Sequence, residues 1–106
     1  QRIQVVKPVF YIVDAESSTE IKINANELFE GLQASQVQGF IRTNFSQPKQ
    51  YPTAAKRWLQ SRTELLYPNN TARALVVRWK LIVYEQADSD VVDVNRETLR
   101  VITVPF

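Results

Sequence analysis

The sequence predicts an α+β fold. Residues 1–106 form a single domain in which an antiparallel sheet of about four strands carries two or three helices on one face, in the order β-β-α-(α)-α-β-β. Three observations predict it. The segment Ala72 to Gln86 alternates over its whole length as a half-buried strand does, the segment Thr53 to Leu66 places apolar residues at helical spacing, and the segment Ile3 to Val13 is rich in β-branched and aromatic residues.

Taken in order, Ile3 to Val13 is the first strand. Pro8 lies inside it and cannot donate to a ladder, so the strand is expected at a sheet edge or broken in two by a bulge. Asp14 to Thr19 is polar and reads as a turn, after which Glu20 to Ile23 pairs back as a hairpin. Asn24 and Glu27 have the spacing of a capping box, which predicts a helix from about Ala25 into the thirties, with Leu28, Phe29 and Leu32 inward and Gly31 weakening it by about 1 kcal/mol relative to alanine. Ser35 and Gln38 are candidate caps for a second helix running to Phe45; the alternation of Val37, Gly39 and Ile41 allows a strand over Gln36 to Asn44 instead.

Pro52 suits the first turn of a helix, and the next helix is expected from Thr53 to Leu66, with Ala55, Trp58, Leu59, Arg62, Leu65 and Leu66 on one face. Tyr67 and Pro68 stop it. In the strand Ala72 to Gln86, Leu75, Val77, Trp79, Leu81 and Val83 point towards the core, and Ala74, Val76, Arg78, Lys80, Ile82 and Tyr84 point away. Trp79 is expected to be buried near Trp58. A turn at 87–90 leads into a return strand from Val91 to Val104 with an irregularity near Asn95, or into two short strands.

Composition excludes several chemistries. Apolar residues make up 44% and charged residues 23%, which is enough apolar material for a core. The two glycines, Gly31 and Gly39, cannot form a glycine-rich phosphate loop. With no histidine and no cysteine, imidazole catalysis, disulfides, thiol nucleophiles, iron–sulfur clusters and cysteine-bound zinc are all ruled out. No cofactor or metal is expected, and the only metal-like pattern is Asp88, Asp90 and Asp93, which reads as a solvated hairpin tip because the glycine and distal glutamate of a calcium loop are absent. No apolar run approaches the roughly 20 residues of a membrane span. The chain lacks methionine even at position 1, which reads as a processed or trimmed chain, a cleaved signal, an anchor and a neighbouring domain all being compatible with it.

Charge is segregated along the chain. Residues 42–80 carry eight basic groups against Glu64, a net of +7, between flanks at −2 and −3. Lys49, Lys56, Arg57, Arg62, Arg78 and Lys80 are therefore the candidate partner-binding residues, forming a basic surface for an acidic protein or for nucleic acid. The opposing reading is that folding mixes these charges, with Arg78 and Lys80 paired by the acidic return strand. The sheet face of Arg78, Lys80 and Tyr84 with Val76 and Ile82 has the residue types that track a phosphate backbone, and equally those of a solvent face with long stems over Val and Ile.

The expected function is that of a non-enzymatic protein–protein interaction and assembly module. Its partner would be a protein, in a homo-oligomer or a multi-subunit assembly of an envelope, secretion or particle-forming kind. The alternative is a small nucleic-acid-binding domain using the 42–80 segment. A carboxylate-based enzyme stands third, since acid–base work would fall to carboxylates, Lys or Tyr.

Overall fold

A computed structural model of the chain describes residues 2–69, 71–87 and 90–106, and for residues 87 and 92–94 the backbone alone. Strands β1 (Arg2–Asp14) and β2 (Glu20–Ile23) form a hairpin. Helices α1 (Ala25–Leu28), α2 (Ala34–Phe45) and α3 (Thr53–Leu66) follow. Strands β3 (Ala72–Ala87) and β4 (Asp90–Pro105) complete an antiparallel sheet ordered β2-β1-β3-β4. The α+β class is thus the one read from the sequence. Among the described residues no helix is long and apolar enough to cross a membrane.

The β1–β2 turn is built by Asp14. Its carboxylate accepts from the Ser17 amide and the Ser17 hydroxyl, each at 2.8 Å, while Ser18 takes φ 60° to reverse the chain. Those donors, the Ser17 amide first and its hydroxyl second, hold the Asp14 carboxyl below the ordinary carboxylate range. A depressed native pKa contributes stability above the ordinary value near 3.8, lost as pH falls through the lower native value. The stability difference between wild type and Asp14→Asn, followed by thermal melts, is therefore expected to shrink on acidification below about pH 4. A difference that stays constant down to pH 2 would contradict this account of the turn.

Strand β1 runs through Pro8 without a break, its one register shift falling at Val13/Asp14. The edge expectation holds for part of the strand. β2 pairs only with Phe10 to Val13, so Arg2 to Val9 is an open edge, and the donor missing at Pro8 breaks no β1–β2 bond.

The first helix is shorter than its pattern suggested. Asn24 caps it by accepting from the Asn26 amide at 2.8 Å, but Gly31 adopts φ +93°, a left-handed conformation that ends the helical turns rather than merely weakening them. A second helix then restarts at Ala34. Residues 36–44 are helical, and the reciprocal cap comes from Gln33 and Gln36 rather than from Ser35 or Gln38: Gln36 Oε1 accepts from the Gln33 amide at 2.9 Å.

Helix α3 has the expected bounds, with one change of face. Leu65 is 68% exposed, and Thr63 is fully buried, its hydroxyl donating to the Gln60 carbonyl. At about 100° per residue Thr63 and Leu66 flank Leu59 on the inner stripe, at roughly 40° and 20° to either side, while Leu65 lies roughly 120° away.

The core gathers between the helices and one sheet face. Phe10, Ile12, Leu75, Val77, Ile102 and Val104 from the sheet meet Leu28, Phe29, Phe45 and Leu59. Phe10 is its hub, edge-on to Phe29 (5.6 Å) and Phe45 (5.7 Å). Trp58 lies on Phe29 and Phe40, while Trp79 is half-buried rather than buried, its indole N–H donating to the Phe45 carbonyl at 2.7 Å.

Trp79 belongs to a set of side chains that close the C-terminal end of α2, where carbonyls lack helical partners. Asn44 donates to the Phe40 carbonyl, Ser46 to that of Arg42, Tyr51 to that of Asn44, and Arg100 to that of Ser46. Trp79 and Arg100 come from the sheet, so this capping fastens α2 to β3 and β4. Among the described residues, no buried side-chain nitrogen or oxygen lacks a hydrogen-bond partner.

Strands of 16 residues span roughly 50 Å, which matches the 47 Å long axis of the molecule. The radius of gyration, 15.3 Å, exceeds the roughly 13 Å of a spherical domain of this length. The sheet therefore outruns its helices: the core packed under them stops at the level of Trp79, although Ile82 and Val83 are still buried beyond it. β4 is one strand with two bulges, at Leu99 and beside Asn95, the second where the sequence placed an irregularity.

Candidate binding surface

Two neighbouring regions of the sheet stand out, one on the part beyond Trp79, formed by Arg2–Lys7, Leu81–Ala87 and Asp90–Leu99, the other running from that part back past Trp79 to Tyr11 and Lys22. The first is apolar. Ile3, Val6 and Leu99 are 46%, 53% and 53% exposed, and Val5 and Val91 are exposed as well. Val6 and Leu99 border a hollow of about 230 Å³ whose other walls are Ser46, Trp79 and Arg100. A second hollow of about 400 Å³ shares Trp79 and Ser46 and adds Pro8, Ile41 and Arg42. Together they form an apolar groove where α2 ends, with Arg42 and Arg100 as its charged members.

The second region is cationic and lies on the face turned away from the helices. Register fixes its members, since side chains alternate across a strand. Tyr11 stands opposite Lys22 and Val76, Val9 opposite Arg78, Lys7 opposite Lys80, and Ile82 opposite Arg96. Arg78 grips Glu20 with a guanidinium fork, Nε donating to Oε1 at 3.2 Å and Nη2 to Oε2 at 2.7 Å. Lys80 Nζ donates to the Tyr11 hydroxyl at 3.0 Å, and both Arg78 and Lys80 lie over the Tyr11 ring. Ile82, Val76 and Val9 are buried on this helix-free face, consistent with long charged stems lying over them.

Two features of this face are electrostatically costly. Lys7 and Lys80 are directly opposed, an arrangement that destabilises a strand pair. Lys7, Lys22 and Arg96 also converge on one hollow of about 420 Å³ with no carboxylate in its lining. Among the described residues neither Lys7 nor Lys22 has an ion-pair partner.

The six basic residues singled out from the sequence fall in three places. Arg78 and Lys80 join the cationic face. Lys56, Arg57 and Arg62 belong to α3 on the other side of the sheet, where Arg57 is exposed and Lys56 half-buried. Arg62 is engaged internally, Nε and Nη2 donating to the Leu28 and Glu27 carbonyls at 2.8 and 3.0 Å, so that it caps α1. Lys49 lies in the loop before α3, over the Tyr51 ring. Arg78 is paired across the sheet, by Glu20 of β2 rather than by the acidic return strand. Sequence reasoning missed Lys7, Lys22 and Arg96, which come from three strands and meet only through the register; their spacing along the chain holds no signal.

The acidic turn falls partly outside the described residues: Asp88 is not among them, and of Asp93 only the backbone is. Among the described residues no three carboxylates come together in a way that could hold a metal ion. Comparison with known protein families, with curated proteins and with solved structures finds no match.

Proposed function

We propose that this domain is a non-enzymatic protein–protein interaction and assembly module, which meets its partner through the half of the sheet that extends beyond the helices. The observation that supports this best is the exposure of Ile3, Val5 and Val6 along an open strand edge, with Val6 and Leu99 bordering the groove at Trp79. Exposed apolar clusters of this kind are a mark of association surfaces, and an unpaired strand edge is a template for another chain. The fastened end of α2 makes the groove a rigid feature that a partner can meet without reordering it.

Light scattering tests this. Wild type is expected to rise above its 12.3 kDa monomer mass as concentration increases, and Val6→Asp with Leu99→Asp to remain monomeric with its fold intact by circular dichroism. A wild type that stays monomeric up to millimolar concentration would overturn the assembly reading.

A second reading, nucleic-acid binding, draws on the cationic face with Tyr11 at its centre. It is the weaker one, because Arg78 is neutralised by Glu20 and the other basic residues of the 42–80 run lie elsewhere. On that reading, affinity for an oligonucleotide falls steeply with salt, by about one power of salt concentration for each phosphate contact.

A further inference from the structure

Resting on the interaction reading above, we propose that the open edge of β1, Arg2 to Val9, takes an extended partner segment in which carboxylates alternate with apolar residues, added as a strand in line with β2. β2 fills the outer side of β1 only as far as Phe10 and then leaves at Ile23 into α1. The unfilled slot beside β1 is eight residues long, about 26 Å of strand. Its backbone is regular, with no register shift between Arg2 and Val13. The other sheet edge, β4, is interrupted by two bulges, a common way of discouraging strand addition. The slot lacks one donor, at Pro8, and carries a charge at Lys7, so it takes only a strand that brings an opposite charge to that position.

Chemistry at the inner end of the slot selects the partner. The hollow there has Lys7, Lys22 and Arg96 on the helix-free side and Pro8, Phe10, Ile23 and Ala25 among its apolar members. A strand entering beside β1 sends alternate side chains to opposite faces. At the inner end of the slot one set meets Lys7 and Lys22 and the other meets Pro8 and Ile23, so alternating acidic and apolar side chains satisfy both there. The like-charge opposition of Lys7 and Lys80 is relieved when carboxylates arrive. Main-chain pairing supplies affinity and the alternating pockets supply choice of sequence. Nucleic acid matches the charge, and its phosphates can accept from single amides, but it lacks the alternating donors and acceptors that pair along a strand edge.

The probe is a blocked octapeptide alternating Val and Glu, titrated into nitrogen-15-labelled protein and followed by amide chemical shifts. Shifts are expected for the amides of Arg2 to Lys7 and of Val9, with none from the Val–Lys counterpart or from oligothymidylate. The Lys7→Glu, Lys22→Glu pair is expected to weaken the Val–Glu peptide by about tenfold or more and to admit the Val–Lys peptide; Lys7→Gln with Lys22→Gln is the milder variant should the reversal disturb the fold. Failure of Val–Glu to shift Arg2 to Val9 at millimolar concentration overturns the proposal, as does equal binding of oligothymidylate or indifference to the charge change. If the peptide binds this edge while wild type stays monomeric, the assembly reading falls and the site stands. If wild type self-associates but the peptide does not bind, the site falls and the assembly reading stands.

Discussion

Replacing Phe10 with alanine is expected to lower the unfolding free energy by about 3–5 kcal/mol, the range for deleting a buried aromatic side chain. Phe10 is 1% exposed and touches the rings of Phe29 and Phe45 edge-on, so it joins β1 to the segment after α1 and to the end of α2. Its loss removes apolar burial and two aromatic contacts, and leaves a cavity that close-packed neighbours can only partly fill. Urea titration measures the effect. A loss below about 1 kcal/mol would mean that the helix layer does not depend on this side chain and that the core is misassigned.

The second large effect belongs to Arg62. Arg62→Met keeps much of the aliphatic stem but removes both donors to the Leu28 and Glu27 carbonyls. Hydrogen bonds involving a charged group contribute about 1.5–3 kcal/mol, and partial access of water to this site puts the expected loss near the lower end. The change should also loosen α1, a four-residue helix that cannot persist without tertiary support. Faster amide exchange at Leu28 and Phe29, with α3 unchanged, is the expected signature. Unaltered stability and exchange would show that Arg62 is a surface cation after all, available to a partner.

These two residues illustrate what the sequence could and could not show. The β1–β2 hairpin, α3, the long β3 and the bulge near Asn95 are written in local pattern: alternation, helical spacing and turn residues. Phe10 is legible as an inward strand residue by the same logic. Arg62 was legible only as an inner-face residue and a cation, because its partners are carbonyls 34 and 35 residues earlier. The length of α1 turned on the backbone conformation of Gly31, which composition does not reveal. Trp79 looked like a core residue by alternation, yet the helices end at its level, and the extent of a layer is a tertiary property.

The candidate surface was the least legible part. A run of eight cations between residues 42 and 80 suggested one basic patch, but α3 and β3 lie in different layers, and the sheet separates their charges. The cations that do converge, Lys7, Lys22 and Arg96, were hidden by distance in the chain. The exposed apolar residues of β1 were visible as strand formers. Their exposure follows from the absence of a covering layer: Val6 lies beyond the end of the helices, and Ile3 and Val5 stand on the face that carries none.

The central claim is that the half of the sheet beyond the helices, with the open edge of β1, is a contact surface. Amide hydrogen exchange across a dilution series tests it most directly, because unpaired edge amides exchange freely and paired ones do not. At low concentration, the amides of Arg2 to Val9 that are not bonded to β3 are expected to exchange near the rate of an unfolded chain. At concentrations where light scattering reports association, they are expected to slow at least tenfold, while the amides of Leu75 to Val77 stay protected throughout. Edge amides that exchange equally fast at every concentration, while the mass of the particle rises, would contradict the account and place the contact elsewhere on the molecule.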